Sequence, residues 1–303
     1  MNKLLLKKNL ELRAKIIQAI RNFFVKNGFL ETETPCRIPA PAPETNIDAF
    51  SSGSWFLQTS PELCMKRLIA SGYSKIFQIC KCFRMNERGS RHLTEFTMLE
   101  WYFTCKNYFD MMGQCEELIK FIAINTGSGS FIKYQGKKID LENPWKKITV
   151  ENAFKKFASV SMGDAILSNR FDEIMALEIE PALGFEKPVF LYDYPAQTGS
   201  LARLKRDNSQ FVERFELYIC GIELCNAFGE LTDPVEQKKR FEKERQDRKL
   251  AGKKAYPMPK KFLDALKYMP ETSGNAMGID RLVMLFTDSA KIDDVVCFTP
   301  AEL

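Results

Sequence analysis

Histidine occurs once in the 303 residues, at His92. That scarcity excludes histidine-based triads, multi-histidine metal centres and proton relays between histidines. Chemistry must therefore come from carboxylates, arginines, an oxygen-ligated metal or that one imidazole. Nine cysteines are present without a C-x-x-C pair, so no zinc motif can be assembled. Free, mostly buried thiols in a reducing compartment are expected. No apolar run reaches bilayer length. The start, MNKLLLKKNLELRAKII, lacks the apolar stretch and cleavage site of a signal peptide, so a cytoplasmic location without membrane attachment is expected. Neither a P-loop nor a strand-linked G-x-G-x-x-G occurs, so the two commonest glycine-rich nucleotide sites are unsupported.

What is present suits a soluble protein with a large core. Hydrophobic residues make up 45% and charged residues 27%, with a net charge of +5. This mild basicity favours anionic partners. Apolar spacing predicts a helix over about 9–26, stopped by Gly28, and a strand at 55–59. Ser60-Pro61-Glu62 then caps and opens a short helix to about Ala70. Strands at 75–84 and 95–104, joined by a polar loop, predict an antiparallel hairpin. A helix near 109–124 follows, then helices near 151–158 and 170–179, and a strand at 188–195. Strands at 214–221 and 222–231, a charged helix at 234–249, a strand at 274–278 and a helix at 279–286 complete the order. Helices framing mostly antiparallel strands give an α+β fold, not a doubly wound sheet.

Three segments carry candidate chemistry. In FRMNERGSRHLTEFTMLEWY, Arg84, Glu87, Arg88, Arg91 and His92 crowd one loop, a set suited to a polyphosphate; a solvated hairpin tip is the alternative. On the next strand Phe96, Met98, Glu100 and Tyr102 share a face. In RFELYICGIELCNAFGELTD, Glu216 and Glu223 could hold Mg²⁺. Asn226, Phe228 and Glu230 alternate there, and a buried Glu230 needs either a substrate ammonium or a neighbouring lysine. In SGNAMGIDRLVMLF, Arg281 opens a helix beside glycines and suits phosphate, or else pairs structurally with Asp280.

In this order the segments resemble the three motifs of the class II aminoacyl-tRNA synthetases. GFLETETP (28–35) stands for motif 1, the hairpin for motif 2 and GNAMGIDRLVML for motif 3. TSPELCMKRL (59–68), EFTMLEWY (95–102), IELCNAFGELTD and GIDRLVMLFT (278–287) resemble the lysine branch, and the likeness covers about residues 9–298. It implies ATP and Mg²⁺ as cofactors. Arg84 would contact the α-phosphate and the substrate carboxylate. Phe96 and Arg281 would clamp adenine, with Glu87 and His92 near the nucleotide and Glu216 and Glu223 as metal–ATP ligands. Ser60, Glu62, Glu100, Tyr102, Asn226 and Glu230 would form the pocket for lysine, and Pro35 would mark a homodimer interface.

Motif 1 begins at Gly28 with no run of short strands before it. The expectation is a single catalytic domain over 1–303 without an anticodon-binding domain. The chain thus resembles the free-standing elongation factor P–(R)-β-lysine ligases, with lysine or (R)-β-lysine as substrate and elongation factor P as acceptor; ordinary tRNA charging is not expected. Ala276, where lysyl-tRNA synthetases usually carry glycine, agrees with a shifted amino group. A truncated RNA-charging enzyme, a silent regulatory paralogue and a nucleic-acid module built on helix 238–249 are the alternatives. The usual motif 2 glutamate is replaced by Asn86, with Glu87 beside it, and Cys225 is expected in the pocket wall.

Overall fold

The computed structural model describes residues 3–142 and 144–303. The first helix, α1 (Lys3–Lys26), begins nearly two turns earlier than its apolar spacing suggests, because Lys3–Lys8 extend it before the first buried position. Ile16, Ile20, Phe23 and Phe24 form its buried stripe at three- and four-residue intervals. Gly28, at φ 76°, takes the left-handed conformation that ends the helix.

A mixed sheet of eight strands dominates the molecule. Its strands are β1 (Leu30–Glu31), β2 (Lys75–Phe83), β3 (Glu95–Thr104), β4 (Lys146–Thr149), β5 (Val189–Pro195), β6 (Phe211–Ile219), β7 (Ile222–Gly229) and β8 (Thr272–Gly278). Their order is β1-β2-β3-β8-β7-β6-β5-β4. The edge pairs β1·β2 and β5·β4 are parallel, and the inner pairs are antiparallel. The expected α+β class and antiparallel centre are therefore present, and the β2–β3 hairpin forms as read from the sequence.

Helices cover one face. Phe24 of α1 stacks on Phe77 of β2 with ring centroids 4.8 Å apart and lies 5.4 Å from Trp101 of β3. Helix α3 (Tyr108–Asn125), started by a capping box on Asn107, packs its Met111, Cys115, Leu118 and Ile122 into the same core. The other face meets α2 (Glu62–Ala70), α4 (Pro234–Leu250) and the short helix Lys260–Leu266, which the sequence reading missed. Helix α5 (Ile279–Phe286) leaves β8 through Gly278. The region expected to be helical at 170–179 is a short α-turn, Phe171–Ile174, running into a π-helical turn, Met175–Ile179. A small hairpin, Phe131–Tyr134 with Lys137–Asp140, fills part of the segment that had no clear periodicity.

Candidate active site

Strand register assembles the site from residues far apart in sequence. Glu100 on β3 lies opposite Ala276 on β8, Ala276 opposite Asn226 on β7, and Asn226 opposite Glu216 on β6. The adjacent row is Tyr102, Gly274, Phe228 and Arg214. Residues two apart on a strand share a face. Both rows therefore face the same side, away from α1 and α3. A cavity of about 360 Å³ opens over them, bordered by Glu62, Asn226 and Ala276 together with Arg84, His92 and Arg281.

One part of this site is a buried acidic cluster around a single ammonium. Lys66 Nζ pairs with Glu62 one helical turn earlier and with Glu230 at 2.5 Å. Burial alone would lower the Lys66 ammonium; the charges of Glu230 and Glu62 reverse this and hold it above the ordinary lysine value. Glu100 accepts hydrogen bonds from Ser60 Oγ at 2.6 Å and Tyr102 Oη at 2.5 Å. Burial, then the neighbouring Glu62, pushes Glu100 up to about 7. Burial raises Glu230 to about 8, with Lys66 opposing and Glu62 adding to the rise. Two carboxylates thus share one lysine, and the third, Glu100, is held by the two hydroxyls beside them. The lysine resolves the alternative left open for Glu230, and it is a residue that the sequence reading passed over. Its signal was there: Lys66 interrupts the buried stripe Leu63–Ile69 of α2 at i+4 from Glu62.

The other part is cationic. The Arg84 guanidinium lies over the Phe96 ring at 5.1 Å, donates from Nε to the Thr59 carbonyl at 3.3 Å and pairs with Glu87 at 3.8 Å. Asn86 has φ 68°, a left-handed conformation that asparagine tolerates far better than glutamate, and Glu87 beside it borders the cavity. Arg281 donates to the Glu223 carbonyl at 2.8 Å, to its carboxylate at 3.2 Å and to His92 Nε2. A guanidinium only donates, so Nε2 is the acceptor and a neutral His92 ring carries its proton on Nδ1. Burial, then Arg281, Arg84 and Arg91, lowers His92 to about 4, which keeps it neutral at pH 7. The pairing of Arg281 with Asp280 does not occur. Asp280 binds Arg13 of α1 at 2.6 Å and the Thr97 backbone N–H at 2.7 Å, which fixes the start of α5 while Arg281 turns to the cavity.

Glu216 and Glu223 differ in what they can offer a metal. Among the described residues no group of three or more His, Cys, Asp and Glu could hold an ion alone. Mg²⁺ carried by a nucleotide needs only one or two carboxylates, because phosphates and water fill the remaining positions. Glu223 borders the cavity with its side chain 35% exposed. Glu216 is buried and accepts from Arg214, Tyr194 and Tyr218, each at 2.6 Å. A carboxylate accepts in about four directions, so one position on Glu216 stays open. Glu223 is therefore the member that a nucleotide-borne ion in the cavity could reach, whereas Glu216 does not border the cavity.

Other expectations need correction. Cys225 is not in the pocket wall: Asn226 faces the cavity, so its neighbour points into the core. The thiols are free, but Cys36, Cys105 and Cys297 are exposed and only Cys82, Cys115, Cys220 and Cys225 are buried. Helix α4 is not merely a solvated charged face. Its Arg248, 1% exposed, donates to the carbonyls of Glu44 at 2.7 Å and Ile47 at 2.9 Å and to Asp48 at 2.7 Å, pinning the loop beside the cavity.

The profile of the tRNA synthetases class II (D, K and N) matches residues 2–302. The chain is 38% identical to the lysine–tRNA ligase of Pelotomaculum thermopropionicum, over 95% of this chain and 62% of the relative. It is 37% identical to that of Moorella thermoacetica, over 94% of this chain and 64% of the relative. The chain thus spans less than two thirds of the length of these ligases. It is also 38% identical to the elongation factor P–(R)-β-lysine ligase of Salmonella arizonae, over 96% of this chain and 94% of that relative. With the motif 2 and motif 3 segments bordering one cavity and the profile matching nearly every residue, the chain belongs to the class II tRNA synthetase family of the D, K and N group.

Proposed function

We propose that the protein activates lysine or (R)-β-lysine with ATP as the adenylate, releasing pyrophosphate, and transfers the acyl group to a lysine side chain of elongation factor P, releasing AMP. The observation that carries this reading is the excess of buried carboxylates over ammonium groups beneath a cavity that Glu62, Arg84 and Arg281 border. Glu62, Glu100 and Glu230 with only Lys66 among them suit a substrate with two amino groups. A neutral amino acid would leave that negative charge uncompensated.

Adenylation brings two anions together, a carboxylate and a triphosphate, and needs no base because the carboxylate is already the nucleophile. In this reading Arg84 and Asn226 orient the amino-acid carboxylate, and Arg84 stabilises charge at the α-phosphate. Phe96 and Arg281 hold the adenine, with Glu87 and a neutral His92 beside the nucleotide. Mg²⁺ bound with ATP would neutralise phosphate charge, held by Glu223. The Ala276 methyl, between Glu100 and Asn226 in register, narrows the space for an α-amino group and biases the pocket toward a β-amino acid. Elongation factor P as acceptor is supported by similarity to a ligase of that name over nearly the whole length of both chains. A cytoplasmic homodimer meeting at the motif 1 segment around Pro35 completes the reading.

Mg²⁺-dependent exchange of pyrophosphate into ATP, stimulated by lysine or (R)-β-lysine, tests the first step. Arg84→Ala and Arg281→Ala should each lower it by about a hundredfold or more. Absence of exchange by the wild type with every diamino acid tried would reject the reading. The second reading, charging of an RNA with lysine, is favoured by the equal identity to lysine–tRNA ligases. Offering total tRNA and elongation factor P side by side separates the two. Label on tRNA with none on the factor selects the second.

A further inference from the structure

The acidic cluster has a neighbour that the lysine pocket does not use. Glu44 sits in the loop between the strands Arg37–Ile38 and Ser51–Ser52, and it borders the same cavity as Glu62 and Arg84. Its backbone is fixed by the Arg248 hydrogen bond to its carbonyl. Its carboxylate has no hydrogen-bond or ion-pair partner among the described residues. Every other acid of the pocket is engaged: Glu62 and Glu230 with Lys66, Glu100 with Ser60 and Tyr102. The charged groups facing Glu44 are Glu62 on α2, Arg84 at the end of β2, Glu244 on α4 and Arg214 on β6.

Resting on the proposed aminoacyl transfer, we infer that Glu44 is the general base that deprotonates the incoming acceptor amine. An alkyl ammonium is protonated near neutral pH and cannot attack a carbonyl until one proton leaves. Arg84 is the residue proposed at the α-phosphate and the substrate carboxylate, so the reacting carbonyl lies beside it. Glu44, a charged neighbour of Arg84 and Glu62, stands where an acceptor would arrive. The ammonium gives one proton to the Glu44 carboxylate. The nitrogen lone pair then forms the C–N bond, and the carbonyl carbon–oxygen bond to phosphate breaks, with AMP leaving with that electron pair. The second nitrogen proton passes to solvent, and Glu44 returns its own proton to solvent when product leaves. Burial, then Glu62, raises Glu44 to about 7, which brings the base near the working pH. Arg84 and Arg214 limit the rise, and Glu244 adds to it.

Two small acceptors separate base catalysis from general damage: Nα-acetyl-lysine amide, an ammonium at neutral pH, and hydroxylamine, already uncharged there. With wild type, transfer to the lysine amide should rise with pH and level off above about 7, because the ionised base and the ammonium then coexist. Glu44→Gln should lower the lysine-amide rate about a hundredfold relative to its own hydroxylamine rate at neutral pH. It should keep rising with pH where wild type is flat. Glu44→Asp, a shorter base, should give an intermediate ratio and keep the plateau. An unchanged ratio in both variants, or a wild-type rate that climbs without levelling, would overturn the inference. Wild-type pyrophosphate exchange is measured in parallel. Its absence rejects the parent reading, whereas exchange with an unchanged ratio rejects only the role of Glu44.

Discussion

Lys66 illustrates how single residues set the electrostatics of this pocket. It is fully buried, yet its ammonium stays charged because Glu230 and Glu62 outweigh the cost of leaving water. The remaining acids are strained toward their neutral forms, Glu100 to about 7 and Glu230 to about 8. These folded values lie above those of an unfolded chain, so the native state binds more protons between the two values, and stability falls as pH rises through that window. His92, lowered to about 4, changes stability only on the acid side of its unfolded value and does not interfere above it. The apparent melting temperature should therefore drop between about pH 6.5 and about pH 8.5. The rise produced by saturating lysine should be larger at the upper end, where the carboxylates are ionised for a dication; thermal melts with and without lysine read both. A lysine-induced shift independent of pH would contradict the charge argument. Gly274 is the second residue of this kind. A Cβ there would overlap the Tyr102 ring and the Glu230 carboxylate. Gly274→Ala should cost about 1–3 kcal/mol of stability by overpacking. It should also raise the KM for lysine in exchange far more than that for ATP. Equal effects on both would place the damage outside the amino-acid pocket.

At the scale of elements, the site depends on helices that never touch it. Helix α1 supports β2 and β3 from behind through Phe24, which packs on Phe29, Phe77 and Trp101. Phe24→Ala should destabilise the protein by about 3–5 kcal/mol, seen as an earlier denaturant midpoint. Exchange activity below the midpoint should be retained, because the residue faces away from the cavity. Arg13 of the same helix joins Asp280 to Thr97 Oγ1, at 2.6 Å and 2.9 Å, and so ties the start of α5 to β3. Elements with strong periodicity were legible in advance: α1 from its apolar stripe, β3 to the residue, α5 from the glycines before it. Short elements were not. Lys260–Leu266 is a seven-residue helix following a proline-rich stretch, and helix formation at that length depends on tertiary packing, here of Phe262, Leu263 and Leu266. The charged helix α4 was read as a solvated face because lysine, arginine and glutamate interleave along it. The burial of Arg248 could not be foreseen, since its carbonyl partners lie some two hundred positions earlier.

At the scale of the molecule, the sheet is the instrument that gathers the site. Its edge strand β1 pairs with β2 on one side only, is exposed at both residues, and leads directly to Thr34 and Pro35. On the proposed reading the motif 1 segment would form the two-fold contact, and light scattering at micromolar concentration should return twice the mass of one chain. A single-chain mass there would reject the dimer. The sequence by itself determined the ordered motifs and the face on which strand side chains lie, since a two-residue period sorts a regular strand. Phe96, Met98, Glu100 and Tyr102 were separable from Leu99, Trp101 and Phe103 on that basis alone. Only the tertiary structure decided which strands lie side by side. Register of β8 against β3 and β7 comes from long-range pairing with no local signal, whereas β6 and β7 form a hairpin set by the Cys220-Gly221 turn. The tertiary structure sets Glu100, Ala276, Asn226 and Glu216 in one row and, among the described residues, leaves Lys66 as the sole ammonium beside three acids and Glu44 on the cavity with Arg84 but without a partner.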